Sequence, residues 1–162
     1  VIVDKILMRN FMLGSELYVE LPRAGLVVVR GPNGSGKSRL IEAVATAMFG
    51  QTVRGTTPWR EGEAGEVLVN ADGFAVRARC TKGGTKKLEW QREGQPQPEF
   101  DNQTKAREAL AVEVGDFEQW RRTHVFSSQD AASFTSATDG QRKRALELLL
   151  GLERLDAAGV AA

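Results

Sequence analysis

Eight residues, Gly31-Pro32-Asn33-Gly34-Ser35-Gly36-Lys37-Ser38, match G-x-x-x-x-G-K-[ST] and constrain the chain more than any other stretch. A polyphosphate is held most cheaply by a curl of backbone N–H groups at a helix N-terminus. That curl needs dihedrals and close approaches that side chains obstruct, so Gly31, Gly34 and Gly36 stand where Cβ atoms would interfere. The flanks agree with this reading. Leu26-Val27-Val28-Val29 is a continuous apolar run and predicts a strand buried on both faces. Lys37 to Phe49 predicts a helix, with Leu40, Ile41, Val44, Ala45 and Met48 on one stripe and Gly50 as its stop. A chance glycine-rich turn carrying a surface lysine would need neither flank. Lys37 is therefore expected over the β- and γ-phosphates of ATP, and Ser38 on a bridging Mg²⁺. The loop alone does not choose between kinase, GTPase, helicase and transporter-like ATPase.

With 162 residues the chain can form one compact α/β domain with a real core. Lys and Arg number 22 against 21 Asp and Glu, so any nucleic-acid contact must come from a local patch. The single Cys80 excludes an intrachain disulfide or a cysteine-clustered zinc site, and its alternating context makes it a small buried hydrophobe. No apolar run has the length of a membrane span and the first residues lack signal-peptide character, which predicts the cytoplasm.

Lys5–Arg9 and Glu16–Leu21 read as strands joined through Asn10–Ser15, with Gly14 as the turn residue. Residues Glu66–Arg92 alternate in three runs separated by Asn70-Ala71-Asp72-Gly73 and Lys82-Gly83-Gly84-Thr85, which predicts an antiparallel meander beside the nucleotide fold. Thr52–Pro58 reads as a mobile loop without a role. Thr104–Val114 reads as a helix with Leu110 and Val114 inward, and Asp116 caps a second around Phe117 and Trp120. Val125-Phe126 reads as a brief strand, and Asp139 caps a final helix running to about residue 157. Arg77, Arg79, Lys82, Lys86, Lys87 and Arg92 make the meander basic, a stripe suited to a phosphate backbone or simply a solvated face. His124 has no carboxylate partner in sequence and reads as a packed or surface residue.

The segment Gly31–Gly50, GPNGSGKSRLIEAVATAMFG, resembles the P-loop and following helix of the SMC-like ATPases, the SbcC branch in particular. Arg9-Asn10-Phe11 stands where that family ends its first strand, and Val125-Phe126-Ser127-Ser128-Gln129-Asp130 is similar to its Q-loop. Arg142–Leu155 resembles the helix leading from head to coiled coil. The resemblance implies the fold of a P-loop NTPase, one domain over 1–162. It would be the N-terminal lobe of an ABC-type head, with a parallel core sheet, the meander and a helix leading toward a coiled coil. It implies nucleotide contacts from Arg9, Asn10, Asn33, Gly34, Ser35, Gly36, Lys37, Ser38 and Arg39. Lys37 and Gln129 would be catalytic, and Ser38 and Gln129 would face Mg²⁺. It also implies a head dimer that sandwiches ATP, grips DNA and works beside a nuclease of the SbcD type, in the cytoplasm or on the nucleoid.

The family also uses an apolar strand ending in Asp-Glu and an LSGGQ-like signature, and neither occurs in this sequence. In the family both follow the coiled coil, so the chain reads as an N-terminal segment that needs its C-terminal half for turnover. A small P-loop kinase, with Arg121-Arg122 in a lid, and a nucleotide-sensing structural clamp are the competing readings.

Overall fold

The computed structural model describes residues 2–125, 138–140 and 143. They fall into two compact units, Val1–Val114 and Gly115–Ala162.

The first unit is built on one five-stranded antiparallel sheet. Its strands are β1 (Val3–Phe11), β2 (Gly14–Glu20), β3 (Gly65–Ala71), β4 (Phe74–Cys80) and β5 (Lys86–Arg92). They lie in the order β2-β1-β3-β4-β5. The meander is thus not a separate layer: β1 pairs with β3, with Ile6 opposite Val69 and Met8 opposite Val67. The Asn10–Ser15 connection shrinks to Met12 and Leu13, because Phe11 already pairs with Gly14. The β3–β4 turn is Asp72-Gly73, both at positive φ, the geometry that matches the right-handed twist of a two-residue hairpin.

Period-two alternation sorts this sheet into two faces. Register aligns Val19, Ile6, Val69, Val76 and Trp90 in one row and Leu17, Met8, Val67, Ala78 and Leu88 in the next. Ile6, Met8, Val67, Val69 and Val76 are almost completely buried, and Cys80 joins them as a small hydrophobe. The opposite face carries Glu16, Arg9, Glu66, Arg79 and Lys87 across one row, alternating in charge over its first four positions.

Helices α1 (Arg39–Phe49) and α2 (Gln103–Val114) belong to the same unit. Helix α1 approaches β1, β3 and β4 and also touches α2. It starts at Arg39, two residues later than predicted, and ends as predicted, with Gly50 in the left-handed region and its N–H on the Thr46 carbonyl. Its burial runs continuously from Glu42 to Met48, while Ile41 is 44% exposed. The helix is therefore more enclosed than its apolar stripe suggests, because small alanines let the sheet and α2 approach from two sides. Asn102 caps α2, its side chain accepting from the Lys105 N–H at 2.9 Å. Leu110 is fully buried, and the Trp90 indole donates to the Ala106 carbonyl at 3.1 Å, tying α2 to β5.

The apolar run before the P-loop departs from expectation. Leu26–Val29 forms no strand, and its four side chains are between 45% and 91% exposed. A strand buried on both faces needs a neighbour at each edge, and among the described residues none pairs with this run. All pairings between the named strands are antiparallel, so the parallel core sheet is absent from the described residues.

In the second unit, α3 (Phe117–His124) is capped by the Asp116 carboxylate accepting from the Gln119 N–H at 3.0 Å, as predicted. Val125 closes α3 as its extended C-cap. Asp139, Gly140 and Lys143 are helical. Phe126, the Q-loop with Gln129, and most of the predicted last helix lie outside the described residues. Among the described residues no helix is long and apolar enough to cross a membrane.

Truncating Leu110 to Ala should cost about 2–5 kcal/mol of folding free energy, through lost transfer energy and the cavity left behind. Val112→Ala, at a position 84% exposed on the same helix, should stay within about 0.5 kcal/mol. Urea denaturation of both variants checks the contrast.

Candidate nucleotide-phosphate site

The P-loop lies at the N-terminal end of α1, where the helix presents its positive dipole end. Gly34 and Gly36 hold φ of 81° and 90°, a region that L side chains rarely adopt. A Cβ on Gly31 would meet Ser35 Oγ at 2.7 Å. Gly31 through Ser35 and Ser38 are exposed, so the curl faces solvent. Three of the short backbone bonds that shape it are Ser35 N–H to Pro32 O at 3.2 Å, Arg39 N–H to Gly36 O at 2.9 Å and Glu42 N–H to Ser38 O at 3.1 Å.

Lys37 folds back over this loop, its Nζ donating to the carbonyls of Gly31 at 2.9 Å and Pro32 at 2.7 Å. A lysine so placed covers the concave side of the curl, where phosphate oxygens would replace the carbonyls as its acceptors. The loop is a cradle of glycines with positive φ at a helix N-terminus, closed by one cation. Those features fit a nucleotide polyphosphate.

Ser38 takes part in a network that the sequence did not disclose. Its Oγ accepts from Arg54 Nη2 at 3.1 Å. One turn along α1, the almost fully buried Glu42 faces the same side, its Oε1 3.6 Å from Arg54 Nε. The other carboxylate oxygen accepts from the Val53 N–H at 2.7 Å. The segment Thr52–Pro58, expected to be mobile, is instead anchored. Thr52 is 4% exposed and its hydroxyl donates to the Thr56 carbonyl at 2.7 Å, while the Met12 N–H donates to the Pro58 carbonyl. The sequence shows only the i, i+4 spacing of Ser38 and Glu42. The return of the loop onto that face depends on the fold.

Of the other residues expected at the phosphates, Arg9 lies on the outer sheet face, its Nε 3.2 Å from Glu16 Oε1. Asn10 has φ of 45° and donates to the Ala64 carbonyl at 2.9 Å, tying β1 to the start of β3. Asn33 and Ser35 are exposed on the loop. Arg39 points back toward the β1–β2 hairpin, where burial and, second, the nearby Arg60 charge lower its basicity. Arg60 Nε in turn donates to the Met12 carbonyl at 2.8 Å.

The basic meander is largely neutralised at its arginines: Arg77 pairs with Glu66, Arg79 with Glu89 and Arg92 with Glu113. That favours the solvated-face reading over a continuous phosphate-binding stripe. Trp90 is 8% exposed and belongs to the core. Arg121 and Arg122, the residues a kinase lid would use, both lie near Glu118 of their own helix. His124 is exposed and stacks on Trp120, with ring centroids 6.1 Å apart.

An exposed P-loop on the first helix of an α/β unit defines the class: a P-loop nucleotide-binding protein. A family model described as AAA domain, AAA_23, matches residues 5–153, and the chain belongs to that family. It is similar to the DNA double-strand break repair Rad50 ATPase of Methanopyrus kandleri, at 28% identity over 93% of this chain and 18% of that protein. It is also similar to the SbcC component of the SbcCD nuclease of Rhodobacter capsulatus, at 26% identity over 81% of the chain and 14% of the relative. The DNA replication and repair protein RecF of Carboxydothermus hydrogenoformans matches at 30% identity over 52% of the chain and 22% of its own length. The chain therefore spans only a minor part of each of these relatives. Two structures of the recombination mediator protein RecF of the RecFOR pathway share the fold. The one with ATP has a TM-score of 0.53 at 18% identity, covering 91% of this chain and 37% of RecF. The one with ATPrS has a TM-score of 0.55 at 19% identity, covering 90% of this chain and 37% of RecF. These relatives agree with the SMC-like resemblance read from Gly31–Gly50.

Replacing Glu42 with Ala removes the acceptor of the Val53 N–H and the counter-charge of Arg54, and should cost about 1–3 kcal/mol of stability. Glu42→Gln, which keeps an acceptor, should cost less. Thermal unfolding of both variants tests whether this carboxylate holds the loop.

Proposed function

We propose that this chain binds ATP with Mg²⁺ at Gly31–Ser38 and is the N-terminal half of an ABC-type ATPase head acting in DNA repair or recombination. The observation that carries this reading is the exposed Leu26–Val29 run immediately before the P-loop. A β-branched segment of this kind is stable inside a sheet and unfavourable in water. Its natural role is to pair with strands that the described residues do not supply, and the parallel core sheet would form around it. The C-terminal half of the head, with the Asp-Glu strand and signature that this sequence lacks, is the partner that meets this need.

Within that reading the backbone of Asn33–Gly36 and the N-terminus of α1 bind the phosphate chain. Lys37 leaves the Gly31 and Pro32 carbonyls for phosphate oxygens, and Ser38 offers its hydroxyl to the metal. When bound, Mg²⁺ neutralises phosphate charge and orients the terminal phosphoryl group. Gln129, outside the described residues, is proposed to position the attacking water. Dimerisation of heads on ATP, contact with DNA, control of an SbcD-type nuclease and a cytoplasmic or nucleoid location belong to the same proposal; the names of the relatives support its DNA-repair and nuclease-complex parts.

Lys37→Ala should weaken ATP binding by about 10- to 100-fold, the loss expected from a charge-assisted hydrogen bond. Titration of the chain with ATP in Mg²⁺ measures this. Turnover should be low for the chain alone and rise when the C-terminal half is added. Robust hydrolysis by the monomeric chain would overturn the half-site reading.

A further inference from the structure

Arg39 and Gly14 fit each other in a way that phosphate binding by the loop does not explain. A Cβ on Gly14 would stand 1.7 Å from Arg39 Nη1 and 2.1 Å from Cζ and Nη2, so the guanidinium lies directly against the Gly14 backbone. Gly14 is in strand β2 and its backbone is not in the left-handed region. Its lack of a side chain serves Arg39, not a turn. On the other side, a Cβ on Gly36 would lie 2.8 Å from Arg39 Cδ and 3.4 Å from Nη1. The side chain thus passes between the P-loop and the β1–β2 hairpin.

This position suits a guanidinium poorly. Arg39 Nε and Nη2 are buried with no hydrogen-bond partner. Burial and the neighbouring Arg60 both disfavour its charge. Two orphaned donors on a cation are costly, and an anion within reach would satisfy them.

We propose that Arg39 is a movable anion clamp, parked on Gly14 in the resting structure and turning onto phosphate oxygens of a nucleotide held in Gly31–Ser38. The inference rests on the ATP-binding reading above. It adds that nucleotide binding is coupled to the β1–β2 hairpin, because Arg39 leaves Gly14 when it takes the phosphate. The parked state also lowers apparent affinity, since only the fraction of molecules with Arg39 released is fully competent.

The test is equilibrium binding of ATP in Mg²⁺ to wild type, Arg39→Ala, Gly14→Ala and the double variant. Arg39→Ala should bind about tenfold more weakly, the loss of a charge-assisted contact. Gly14→Ala, which denies Arg39 its resting place, should bind more tightly than wild type. The double variant should match Arg39→Ala, because the effect of residue 14 acts only through Arg39. Arg39→Ala within about twofold of wild type overturns the clamp, as does Gly14→Ala binding as weakly as Arg39→Ala. Should Gly14→Ala not fold, hydrogen exchange in wild type decides: amides of residues 11–14 should exchange faster once ATP is added, and unchanged or slower exchange overturns the proposal. If wild type binds no ATP, both the clamp and the reading beneath it fall. If wild type binds ATP and Arg39→Ala matches it, the clamp falls and the ATP-binding reading stands.

Discussion

The packing of helix α1 against the inner face of the antiparallel sheet is the contact on which the rest of the first unit depends. Ala43, Ala45 and Ala47 have no exposed surface, and Met48 is 2% exposed. Small side chains there let the helix sit close to β1, β3 and β4. A helix held this firmly fixes its N-terminus in space, and the P-loop is the continuation of that N-terminus. Precision at the P-loop is therefore a consequence of alanine packing further along the helix.

The same helix organises the polar surroundings of the site. Ser38, the N-cap of α1, and Glu42 lie one above the other because they are four residues apart across the first turn of the helix. The buried Glu42 carboxylate then draws in Val53 and Arg54, which brings a loop from beyond the helix C-terminus back to its first turn. On the neighbouring side Arg39 reaches the β1–β2 hairpin, and Arg60 reaches the Met12 carbonyl of the same hairpin. Loop, hairpin and helix start are thus one connected neighbourhood around the P-loop.

Much of the fold was legible because its signals are local. Alternation at Glu66–Arg92, the Gly50 stop and the Asp116 cap each depend on a few consecutive residues, and each appears as expected, while the turn expected over Asn70–Gly73 tightens to Asp72-Gly73. Leu26–Val29 shows the opposite case. Its composition marks it as strand, but a strand exists only with partners, and the described residues leave this one exposed. The basic stripe was open to two readings for a related reason: Glu66 and Glu113 are distant in sequence from Arg77 and Arg92, and only strand register and helix docking bring them together.

The sequence by itself determined the chemistry of the loop. Glycines at fixed spacing before Lys37 and Ser38 make a P-loop at a helix N-terminus, because backbone conformation and charge there are set within eight residues. Tertiary structure decided what surrounds that loop. Arg54 on Ser38, Arg39 on Gly14 and the joining of β1 and β2 to the meander are contacts between residues far apart in the chain. Such contacts follow from how whole elements pack, which no short window of sequence encodes.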